Sequence, residues 1–157
     1  MQTVRFPFIL IVFTLARSCG QQTGNHGPLT PLTPESVQGC YELTLSKWNP
    51  GFGEDEEFVT PPKRVNLIAE QGSKGFETRG YLLRPAPGEK PSIHRASYWT
   101  IEKNDTVELH WTTGFSGLTA KLRRKEGALV GEARPFWDFP RRGQKTRLIA
   151  RRIECAK

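Results

Sequence analysis

The sequence predicts an all-β domain, a single antiparallel, roughly eight-stranded up-and-down barrel, with a two-sheet β-sandwich as the alternative. Three observations predict it. From Cys40 onward apolar residues alternate with polar ones at a period of two, and no useful length repeats at 3.6. Turn residues break that alternation at short, regular spacing, as in successive hairpins rather than strand–helix units. Cys40 and Cys155 bracket the alternating region, and the first and last strands of a closed barrel are neighbours, so a disulfide between them is expected. Closure also removes the two exposed edges that an open sheet would present.

Ahead of the strands, residues 1–18 read as a signal peptide. Arg5 supplies the positive start, and the apolar run over 6–16 is too short to span a bilayer comfortably. Ala16 and Ser18 are small residues placed for ordinary cleavage before Cys19, which would release a soluble product. Alternatively, the segment Leu15-Ala16-Arg17-Ser18-Cys19 resembles a bacterial lipobox, which makes Cys19 a candidate lipidation site; Arg17 departs from that pattern. Residues 19–38 read as a flexible linker, polar and rich in Gly, Thr and Pro, as suits a tether. If Cys19 carries lipid, Cys40 and Cys155 remain as an even pair in an oxidising compartment. The expected location is therefore the bacterial cell envelope, periplasmic or membrane-anchored.

Residues 39–157 form the predicted domain. Tyr41, Leu43 and Leu45 share one face of the first strand, and Trp48 closes its end. The connection over 47–62 carries Glu54-Asp55-Glu56-Glu57 without the alternating oxygens or the turn glycine of a calcium loop, so it reads as a solvated acidic loop. Val65, Leu67 and Ala69 mark the second strand, and the third is expected over 76–84, with Glu77 and Arg79 pointing away from the core. Prolines then end it. A strand over 97–102, a turn at 103–105, and Val107, Leu109 and Trp111 make a hairpin. Leu118, Ala120 and Leu122 continue it beyond a corner at 113–117. Strands over 128–133 and 146–153 complete the set, separated by an aromatic loop, Pro135-Phe136-Trp137-Asp138-Phe139-Pro140.

An aromatic first strand opening on Gly39, a meander of hairpins and a last strand carrying basic residues resemble the lipocalin-like, or calycin, barrels of bacterial exported proteins and lipoproteins. The likeness runs over 39–155 in pattern, with Tyr41 where the lipocalin signature has tryptophan. It implies the architecture, and no binding residue is carried over from it.

Catalytic patterns are absent from the sequence. Ser116 in Gly-Phe-Ser-Gly has its second glycine one place early for a nucleophile elbow, and a strand pattern rather than a helix follows. His94 and His110 have no Cys, Asp or Glu at ligand-like spacing, so both read as outward polar residues and no metal or cofactor is expected. The chain is therefore expected not to be an enzyme.

The net charge is +7, inflated by Arg5 and Arg17 of the leader. A basic exported surface meets lipid headgroups, lipopolysaccharide or acidic glycans more naturally than nucleic acid. The aromatics carry the functional expectation: Trp99, Trp111, Phe115, Phe136, Trp137 and Phe139 are candidates to line a pocket at one end of the barrel for a small hydrophobic ligand or lipid. The alternative is a filled barrel, since eight strands leave room for side chains and little else. Such a structural or interaction protein would meet an envelope protein or acidic glycan through its aromatic loop and basic face.

Overall fold

The strands marked by the alternation close on themselves. The structure is a computed structural model, describing residues 31–48, 60–90, 94–103, 105–137 and 144–155. Its strands are β1 (Gly39–Leu45), β2 (Arg64–Gln71), β3 (Tyr81–Pro85), β4 (Ala96–Glu102), β5 (Thr106–Thr112), β6 (Ser116–Lys125), β7 (Ala128–Trp137) and β8 (Thr146–Ile153). Each pairs antiparallel with the next, and β8 returns to β1, so the eight form one closed up-and-down barrel. This architecture is compatible with a lipocalin-like fold.

Closure runs through six register pairs, from Cys40 opposite Ile153 to Leu45 opposite Leu148. The expected disulfide lies at the end of this seam: Cys40 and Cys155 are bonded, with Cα atoms 5.2 Å apart. Tight turns keep the hairpins in register. Glu126 and Gly127 both have positive φ, the geometry whose twist matches that of the strands it joins. Elsewhere neighbouring strands approach so closely that no side chain fits: a Cβ on Gly131 would lie 1.9 Å from the carbonyl oxygen of Lys121, and one on Gly117 would lie 2.0 Å from that of Trp111.

Three elements differ from expectation, each for a local reason. The segment expected to begin the third strand instead forms a 3-10 helix, Gly75–Arg79, and β3 starts only at Tyr81. Gly75 has a positive φ, and an acid–base clamp between Glu77 and Arg84 folds the turn back onto β3. The expected aromatic loop is shorter, because Pro135, Phe136 and Trp137 continue β7, paired with Leu118, Gly117 and Ser116. Finally, the chain packs before the first strand. Pro34–Val37 is a one-turn helix, α1, capped by Thr33, whose side chain accepts from the Ser36 amide while the Ser36 hydroxyl accepts from Thr33. Leu32 and Val37 join the core, so the C-terminal part of the expected linker is a plug at one end of the barrel.

Candidate functional site

The interior is built by one face of every strand. Val65, Leu67, Leu83, Trp99, Val107, Leu109, Trp111, Leu118, Leu122 and Leu148 are all fully buried; Trp99 exposes 0% of its surface and Trp111 1%. These side chains belong to one packed cluster, against which Leu45, Trp48, Tyr81 and Ile101 are partly buried. The indole of Trp99 is also satisfied: its Nε1 donates to the carbonyl oxygens of Ile68, at 3.2 Å, and Leu82, at 3.1 Å. The first of these lies where β2 breaks register between Leu67 and Gln71. Both tryptophans belong to the packed core cluster, and these two bonds anchor Trp99 within it.

The remaining aromatics sit outside. Phe115 is 70% exposed at the corner joining β5 to β6, Phe76 of the 3-10 helix 37% and Phe136 of β7 36%. Although distant in sequence, they flank one corner. The Phe76 ring lies 3.5 Å from where a Cβ on Gly114 would stand, and the Phe136 ring covers Gly117, its partner across the β6–β7 ladder. The corner is held firmly. The Thr113 amide donates to the Ser116 carbonyl at 2.9 Å, and the Gly114 amide to the Thr112 hydroxyl at 2.9 Å.

Cations flank these rings. The Arg79 guanidinium lies 4.9 Å from the centre of the Phe76 ring. Arg134, two residues before Phe136 and on the same face of β7, reaches Glu132 at 2.9 Å. Glu77 is consumed locally: Arg84 bonds both of its oxygens, and this holds its carboxyl below the usual range.

Below the corner the outer sheet becomes polar. The cross-strand row Glu108, Lys121, Glu132 and Arg147 alternates in charge. His110 stacks on Tyr98 with ring centres 4.5 Å apart, and Glu108 lies 3.9 Å from its Nε2. Burial lowers the His110 pKa, with Lys121 and Arg79 pushing the same way and Glu108 and Glu102 opposing. The folded state therefore favours the neutral ring. Its contribution to stability is complete above the unfolded pKa of about 6.5 and is lost as pH falls through that value toward the folded pKa. Accordingly, the urea midpoint should drop between pH ~7 and pH ~5.5, and His110→Gln should drop less. Equal losses in both proteins would assign the effect elsewhere.

The plugged end gathers Tyr41, Arg124 and Arg152 around a cleft of about 420 Å³. The Tyr41 hydroxyl donates to the Val37 carbonyl at 2.6 Å, and burial pushes its pKa up against the pull of Arg152 and Arg124. Arg152 lies over the Tyr41 ring at 5.7 Å and donates to the Gln38 carbonyl, while Arg124 reaches the Ser36 carbonyl at 3.4 Å. These groups secure the plug by bonding the carbonyls at the end of α1.

The six aromatic candidates divide between places in the structure. Trp99 and Trp111 lie in the core, Phe115 and Phe136 lie outside, Trp137 is half-buried at the end of β7, and Phe139 falls outside the described residues, as does Cys19. His94 is buried rather than outward, and His110 is mostly covered. Phe76 is the corner residue that the sequence does not point to: the alternation places it in a strand, and only the glycine before it signals otherwise. No protein-family model matches the chain, and neither a curated protein nor a solved structure matches it.

Proposed function

We propose that the chain is a non-enzymatic binding module of an oxidising, extracytoplasmic compartment that works through the outside of a filled barrel. The observation that carries this reading is the division of its aromatic residues. Trp99 and Trp111 are spent on the core, whereas Phe76, Phe115 and Phe136 surround one corner in contact with water. Exposing three large apolar rings at one place costs solvation energy unless a partner covers them. Enclosing a small apolar ligand is the weaker reading, because the inward side chains of the described strands pack as one cluster in which Trp99 and Trp111 are fully buried. The disulfide and the leader-like N-terminus favour export.

The charged row from Glu108 to Arg147 favours a barrel in water over one embedded in a bilayer, where charges on the outer face are costly. The test is site-specific photocrosslinking in the producing cell. Benzoylphenylalanine in place of Phe115 should give a discrete adduct, whereas the same group in place of exposed Thr44 on β1 should not. No adduct at position 115, or equal labelling at both positions, would remove the support for this surface.

A further inference from the structure

We infer that the partner of the β5–β6 corner is an anionic lipid surface, which the three phenylalanines enter while the surrounding arginines meet phosphate. The inference rests on the outer-surface reading and adds the chemistry of what is bound. Its first ground is shape. Phe115 is 70% exposed at a hairpin corner, and the hydrogen bonds of Thr113 and Gly114 fix the backbone that carries it. A projecting apolar tip suits a deformable plane better than a folded peptide.

The second ground is charge. Arg79 is stacked on Phe76 and, among the described residues, forms no ion pair. Arg95 is exposed just before β4, whose first residue, Ala96, pairs with Thr112 at the base of the corner. Arg134 extends the same side, and its acidic neighbour Glu132 is shared with Lys145, which leaves that cluster net positive. The nearest acid on the 3-10 helix, Glu77, is held by Arg84. The corner thus presents apolar rings within a cationic collar and no unpaired carboxylate among the groups named. That combination is complementary to anionic headgroups above acyl chains. An acidic protein would match the collar but would leave Phe115 without a prescribed pocket.

The test is vesicle co-sedimentation of the full exported chain carrying Cys19→Ser, so that binding cannot come from an acyl group on that residue. The chain should pellet with vesicles containing phosphatidylglycerol and stay in solution with phosphatidylcholine alone. Binding should weaken as salt is raised. Phe115→Ser should reduce vesicle affinity on the order of tenfold, as expected when one buried aromatic side chain is lost, and Arg79→Gln roughly threefold to fivefold. Unchanged melting temperatures in both variants would keep these losses interpretable, and exposed positions should allow that.

Equal binding to both vesicle types, or undiminished binding by Phe115→Ser, would overturn the inference. Failure to bind lipid alongside a protein adduct at position 115 in cells would overturn the lipid assignment and leave the outer-surface reading standing. Failure of both experiments would overturn both.

Discussion

Replacing Cys40 and Cys155 together by alanine is expected to lower the unfolding free energy by roughly 4 to 5 kcal/mol. The two cysteines are 115 residues apart in sequence. A cross-link of that span removes much of the freedom of the unfolded chain, and the loss grows with the logarithm of loop length. The folded state should change little, because the β1–β8 seam is zipped by six register pairs without help from the bond. The variant should therefore keep the far-ultraviolet circular dichroism of the parent while its urea midpoint falls steeply. For a domain of this size the loss is a large share of total stability. A loss below about 1 kcal/mol would mean that the unfolded chain retains enough structure to make the bridge redundant.

Trp99→Ala is expected to cost about 3 to 5 kcal/mol, the usual range for truncating a buried aromatic. The indole is fully buried, packs 4.9 Å from the Tyr81 ring and donates to two carbonyls, so its removal opens a cavity and also leaves acceptors without their donor. Trp99→Phe separates these effects. It keeps most of the volume and should cost about 1 to 3 kcal/mol, mainly for the lost hydrogen bonds. The cavity in Trp99→Ala should also accept indole, raising the melting temperature of that variant and leaving the parent unmoved. If both substitutions cost under about 1 kcal/mol, Trp99 is not a packing residue of a close-packed interior.

The barrel was legible because its determinants are local. Alternation at Tyr41-Leu43-Leu45, Val107-Leu109-Trp111 and Leu118-Ala120-Leu122 marks inward faces, and turns at 103–105 and 125–127 join neighbours in space as in sequence. The disulfide was legible for the same reason, since a meander that closes must bring its ends together. Signals that conflict locally were misread. Phe76-Glu77-Thr78-Arg79 alternates like a strand, yet Gly75 turns the chain and Arg84, further along, clamps Glu77. Pro135 opens the expected aromatic loop, although a strand position tolerates proline where its missing donor is not needed. Thr33-Pro34-Glu35-Ser36 carried a capping signature, but a single helical turn is too short to show any periodicity.

The corner was the least legible feature. Phe76, Phe115 and Phe136 come from a 3-10 helix, a hairpin corner and a strand, and only the fold brings them to one corner. Whether Trp99 and Trp111 wall a cavity or fill one also depends on what faces them across the barrel, which alternation along single strands does not reveal.

The most direct measurement is titration of the parent protein with fatty acids and small aromatic ligands below their aggregation thresholds, followed by tryptophan emission and calorimetry. A filled interior predicts no saturable response from the buried indoles of Trp99 and Trp111 and no heat of one-to-one binding. Saturable one-to-one binding that quenches these tryptophans and raises the melting temperature would contradict it and return the barrel to the role of a ligand carrier.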